Sequence, residues 1–119
     1  MLFRSCKFRR VHAVFQPHRY TRTQHLMDEF AKSFHQADAV YVLDIYAASE
    51  APIEGITGRV LADRIRDFGH RCVHYTGTIQ QTVNAVLEKV RDQDAILTLG
   101  AGNVWQVGDR ILEKLREAA

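Results

Sequence analysis

The chain has 119 residues, 46% of them hydrophobic and 25% charged, and its formal net charge is +2. That length suits one domain with a single layered core, and the charge is too small to argue for a nucleic-acid or membrane partner. No apolar run approaches the roughly 20 residues that cross a bilayer. The amino end lacks the apolar stretch and cleavage site of a signal peptide, so a cytoplasmic location is expected. Cys6 and Cys72 form no metal-like spacing, and both are expected as free thiols.

The first ten residues, rich in Arg and Lys, show no clear pattern and are set apart as an atypical segment; the domain proper is read over 11–119. Val11–Phe15 is the first strand candidate. Thr21 with Gln24 resembles a capping box, opening a helix whose Leu26, Met27, Phe30 and Phe34 form one apolar stripe. Ala39–Tyr46 is nearly continuous in β-branched, aromatic and aliphatic residues, as suits a strand covered on both faces. Thr57 caps a second helix, with Leu61, Ile65 and Phe68 facing inward and Gly69 ending it. Cys72–Tyr75 is a weaker third strand. Thr78 with Gln81 repeats the capping box ahead of Val83, Val86, Leu87 and Val90. Ala95–Leu99 is the fourth strand. The last helix is expected to bury Val107, Ile111, Leu112 and Leu115 while Arg110, Glu113, Lys114 and Arg116 stay wet.

Strictly alternating strands and helices imply right-handed crossovers and an α/β fold: a three-layer α/β/α sandwich around a mostly parallel, doubly wound sheet. Ligands of such sheets bind beyond the carboxyl ends of the strands, so three loops carry the search for function.

The first loop, Gln16–Thr23, places His18, Arg19 and Arg22 near the amino end of a helix, where unpaired amides favour anions. Arginine adds a rigid fork of donors that matches carboxylate or phosphate. The run reads either as an anion clamp or as a solvated basic turn. The second loop, Asp44–Gly55, is long for its type. Its Asp44, Tyr46 and Glu50 stand at the substrate edge. The two acids could orient an arginine, bind an amine or join a metal site; equally, Asp44 could pair with a neighbouring loop and Glu50 face solvent. The third loop, Gly100-Ala101-Gly102-Asn103, offers either an anion turn or a tight strand-to-helix turn. A dinucleotide fingerprint would need glycine where Trp105 stands.

Elsewhere the chemistry is sparse. His12, His25, His35, His70 and His74 have no ligand spacing, so no metal site is expected. No Walker-type loop and no nucleophile elbow occurs.

Taken together, the loops resemble a known family. Val14–Thr23 is similar to the signature opening the C-terminal domain of UDP-N-acetylmuramate–L-alanine ligases, members of the Mur ligase family. Asp44–Ile53 and Leu97–Asn103 resemble that family's second and third motifs, in the same order. Ser49 departs from the pattern, standing where the family usually has glycine. The resemblance implies a cytoplasmic enzyme of peptidoglycan synthesis that uses ATP and Mg²⁺ to phosphorylate the muramyl carboxylate. The amine of L-alanine then attacks the acyl phosphate. It further implies that UDP-N-acetylmuramate and ATP are held mainly by N-terminal and central domains, the partners on which this domain closes. His18, Arg19 and Arg22 would then contact the amino acid carboxylate or the acyl phosphate. On this reading the 119 residues alone are inactive as a ligase. The alternative is a free-standing module binding an anion or nucleotide with the same basic loop.

Overall fold

A computed structural model describes residues 9–118; most of the atypical amino-terminal segment, with Cys6, lies outside them. The elements alternate as expected: β1 (Val11–Phe15), α1 (Tyr20–Lys32), β2 (Ala39–Leu43), α2 (Gly58–Asp67), β3 (Val73–Gly77), α3 (Ile79–Lys89), β4 (Ala95–Leu99) and α4 (Trp105–Ala118). The strands form one sheet in the order β3-β2-β1-β4, and every pairing is parallel. β1 and β2 occupy the centre, where all ten residues are buried. This is why their sequences run apolar without alternating.

Helices cover both faces. On one, Met27, Ala31 and Phe34 of α1 and its C-terminal extension, with Leu61, Ala62 and Ile65 of α2, pack on Ala13, Phe15, Val40 and Val42. On the other, Val83 and Val86 of α3 and Val107 and Ile111 of α4 pack on Val14, Tyr41 and Leu43. Burying a side chain of this size contributes about 1.5–3 kcal/mol, so these two layers dominate the fold's stability.

Two caps match the sequence reading. The Val60 amide donates to Thr57 Oγ1 at 3.1 Å. Thr78 and Gln81 form a reciprocal capping box at the start of α3. The third does not: α1 begins at Tyr20, its N-cap is Arg19, and no side chain of that residue caps it. Three other expectations need correction. β2 ends at Leu43 rather than Tyr46, after a register shift between Val42 and Leu43. Phe68 is exposed, with the Lys32 ammonium 5.4 Å from its ring centroid. Leu112 and Leu115 are also exposed, because nothing among the described residues packs on that side of α4.

At the amino ends of the strands lies a polar cluster. Buried His12 bonds Tyr41 Oη at 3.0 Å through Nδ1 and Asp94 Oδ2 at 2.9 Å through Nε2. Arg10 also donates to Asp94 Oδ2, at 3.1 Å. Burial pushes Asp94 upward, but hydrogen bonds from His12, the Arg91 amide and Arg10 outweigh it and hold the carboxyl below its ordinary value. Burial pushes the Tyr41 phenol up to about 12. This cluster ties β1, β2 and the start of β4 together, on the edge opposite the three loops.

Candidate functional site

The carboxyl ends of the strands bring the three loops into direct contact. The first and second are stitched by backbone: the Tyr46 amide donates to Pro17 O and the Arg19 amide to Tyr46 O, both at 2.8 Å. The His18 and Tyr46 rings stack above this bridge, with centroids 5.7 Å apart and planes 12° from parallel. The first and third loops are stitched through Gln16. Its amide donates to Leu99 O at 2.9 Å, and its Nε2 donates to Asn103 Oδ1 at 2.7 Å.

Glycine is needed where the third loop crosses the other two. A Cβ at Gly102 would lie 2.6 Å from Tyr46 Cγ and 2.7 Å from Gln16 Oε1. At Gly100, φ is 151° and a Cβ would lie 2.8 Å from Gln16 O. Both glycines therefore permit loop-on-loop packing, as a tight turn requires.

Glu50 takes a specific position. Its Oε1 accepts from the Tyr20 and Thr21 amides at 2.6 and 3.1 Å, and its Oε2 accepts from Thr21 Oγ1 at 2.6 Å. The second loop thus supplies the cap that α1 lacks in its own sequence. The hydrogen bonds from Thr21 are the main cause holding the Glu50 carboxyl below its ordinary value. The anion that the helix terminus attracts is built into the chain. Glu50 also lies beside a constrained backbone: Arg19 has φ 69°, and Ala48 and Ser49 have φ 50° and 74°. Non-glycine residues hold such angles only where their surroundings over-determine them.

Asp44 accepts a hydrogen bond from the hydroxyl of Tyr75, in the middle of β3, and this bond is the main cause raising the tyrosine's pKa. The Arg59 guanidinium sits 4.9 Å from the Tyr75 ring centroid. Both candidate acids are therefore engaged by the chain itself, Glu50 by a helix terminus and Asp44 by a side chain of the neighbouring strand.

What remains available is cationic. The guanidiniums of Arg19 and Arg22 make no hydrogen bond or ion pair among the described residues, and both are exposed. Thr23, in the same motif, is buried and donates through Oγ1 to Arg19 O at 2.7 Å, fixing the first turn that carries them. Beside this basic run, a cavity of about 450 Å³ opens between the ends of β1, β2 and β3, lined by Gln16, Asp44, Tyr46, Thr78, Gln80 and Asn103 among others. Gln16, Thr78 and Gln80 were not singled out as site residues from sequence. The position of Thr78 and Gln80 just beyond β3, at the same sheet edge as the other loops, was the signal available for them. Among the described residues, no group of three His, Cys, Asp or Glu could hold a metal ion.

The family described as "Mur ligase, glutamate ligase domain" matches residues 2–102. This chain belongs to the Mur ligase family. Among its relatives, the UDP-N-acetylmuramate–L-alanine ligase of Solibacter usitatus is 60% identical over 113 residues, which are 95% of this chain and 24% of that protein. The ligases of Syntrophotalea carbinolica and Koribacter versatilis are each 53% identical, over 92% and 94% of this chain. The crystal structure of a UDP-N-acetylmuramate–alanine ligase from Thermotoga maritima superposes with a TM-score of 0.71 at 22% identity, covering 92% of this chain and 21% of that one. That structure supports the fold. The chain spans about a quarter of the length of these relatives and corresponds to their C-terminal domain.

Proposed function

We propose that this Mur ligase domain closes on the ATP-bearing domains of a ligase that joins L-alanine to UDP-N-acetylmuramate in peptidoglycan synthesis, in the cytoplasm. The observation that carries this reading is the pair of exposed guanidiniums, Arg19 and Arg22, which make no hydrogen bond or ion pair among the described residues and are held at the carboxyl edge of the sheet by a first turn that Glu50 caps from the neighbouring loop. Because Glu50 already satisfies the helix amides, the clamp acts through side chains: His18, Arg19 and Arg22.

ATP and Mg²⁺ belong to the N-terminal and central domains in this reading. The described residues form no metal ligand set, and the Asp44 and Glu50 carboxylates are committed to Tyr75 and to α1. When bound there, ATP supplies the phosphoryl group that activates the muramyl carboxylate. The residues of this chain then have three tasks. Arg19 and Arg22 orient the alanine carboxylate or the acyl phosphate and offset its charge. The His18–Tyr46 stack and the backbone stitch beneath it keep the clamp in place. Docking of the loop edge excludes water that would otherwise hydrolyse the acyl phosphate. Asp44, Tyr46 and Asn103 border the cavity beside the clamp and shape the substrate edge, with Gly100 and Gly102 setting the turn behind it.

Mixing this chain with the N-terminal and central domains of the Solibacter usitatus ligase tests the proposal. ATP-dependent coupling of L-alanine should arise only in the mixture and disappear with Arg22→Ala. Tight binding of a simple anion or nucleotide by this chain alone, with no coupling in the mixture, would favour a free-standing binding module instead.

A further inference from the structure

The amino ends of the strands carry a second concentration of positive charge, at the end of the sheet away from the three loops. A cavity of about 780 Å³ opens there between β1, β2, β3 and the end of α3. Arg9 and Arg10 line it from the segment before β1, Arg71 from the segment before β3, and Lys89 and Arg91 from the end of α3 and just beyond. The acids lining it are Asp38 and Glu88. The chain has 16 Lys and Arg against 14 Asp and Glu, so these five cations against two acids hold its whole positive excess.

Part of this charge has a structural task. A helix C-terminus favours cations: Arg10 donates to Lys89 O at 2.7 Å, and Arg91 donates to Val90 O at 2.9 Å. Arg9, Arg71 and Lys89 have no such task. All three are exposed, and their side chains make no hydrogen bond or ion pair among the described residues. Asp38 meanwhile accepts from the Val11 amide at 2.7 Å. His12 and His74 also line the cavity, with the Tyr41 ring between them at centroid distances of 5.9 and 5.6 Å. Burial first, and then the positive charge of Lys89, Arg66 and His70, hold His74 below its ordinary pKa. The chain's own acids therefore leave this corner with a positive field.

We propose that this cavity binds a compact anion with at least two linked phosphate groups, at a site separate from the loop edge. Arginine forks match phosphate oxygens, and cations arriving from three segments suit charge spread over more than one phosphate. A cleft lined by one sign of charge focuses its field on a small ligand, whereas a nucleic-acid duplex is met by an open basic stripe. No Phe, Tyr or Trp lines the cavity, so it offers no such platform on which a base would stack. The strands are five residues long, which puts the two ends of the sheet about 16 Å apart. An anion here leaves Arg19 and Arg22 open to their own ligand, and the inference holds whether or not the proposed function does.

The test is titration of the 119-residue chain with inorganic pyrophosphate in about 0.15 M salt, which screens weak surface attraction, followed through backbone amide chemical shifts. Saturable binding with a Kd below about 1 mM, and shifts centred on residues 71–74 and 89–91 rather than 18–23, supports the proposal. Arg71→Gln combined with Lys89→Gln should weaken binding at least about tenfold, while Arg19→Ala combined with Arg22→Ala leaves it unchanged. Arg71 and Lys89 are exposed, so their double variant should keep the parent's unfolding midpoint; Arg9→Gln is an independent variant expected to act in the same direction. No saturation by about 10 mM pyrophosphate, or binding that survives the Arg71 and Lys89 substitutions, overturns the site. Loss only in the Arg19 and Arg22 variant assigns the anion to the loop edge and overturns it as well. Orthophosphate binding as tightly as pyrophosphate overturns the requirement for linked phosphates.

Discussion

Glu50 links a single carboxylate to the geometry of the whole loop cluster. Its pKa is lowered in the folded chain, so its stabilising effect is fully present above its unfolded value and is lost as pH falls through the lower, folded one. Asp94 shares that direction. Thermal unfolding should therefore show stability falling below about pH 5. In Glu50→Gln the slope should be shallower but not abolished. A curve for this variant that merely parallels the parent would show that Glu50 contributes nothing through its charge. Ser49 makes a second test: at φ 74° it pays the left-handed penalty of about 1 kcal/mol. Ser49→Gly should move the urea midpoint upward, and a downward shift would mean that the serine side chain stabilises the loop. Gly102→Ala goes the other way. Its methyl would meet Tyr46 and Gln16, and chemical unfolding should report a loss of about 1–3 kcal/mol.

The elements were readable in sequence where the signal is local. β1 and β2 announce themselves as apolar runs, and the caps at Thr57 and Thr78 each depend on residues within one helical turn. Thr21 and Gln24 copied the same local pattern, yet the real cap comes from Glu50, 29 residues away in the sequence. No local rule could assign it. Tyr46 also looked like strand. It leaves the ladder after the register shift to bridge His18 instead, a choice made by loop contacts. The α4 stripe predicted burial for Leu112 and Leu115, and both are exposed, because periodicity specifies a face and not whether anything covers it. Among the core positions, Leu61 of α2 is fully buried against the sheet. Leu61→Ala should cost about 2–5 kcal/mol in equilibrium unfolding. A loss under 1 kcal/mol would show that the α1/α2 layer collapses around the gap.

For the whole molecule, the proposed function makes this loop edge one half of a reaction centre. The basic run proposed as a clamp stands out in the sequence because its charged residues cluster in one short stretch at a strand end. The cavity beside it was less legible, because Thr78 and Gln80 enter from a short turn with no charge to mark it. Alone, the chain should show no ATP-dependent formation of the alanyl product. The most direct measurement places it in a complete enzyme: a fusion of the N-terminal and central domains of the Solibacter usitatus ligase to this chain, assayed for L-alanine-dependent turnover. The account predicts activity in the fusion, lost on Arg19→Ala or Arg22→Ala while the variant chain keeps its unfolding midpoint. A folded but silent fusion, or full activity after removing both arginines, would contradict it.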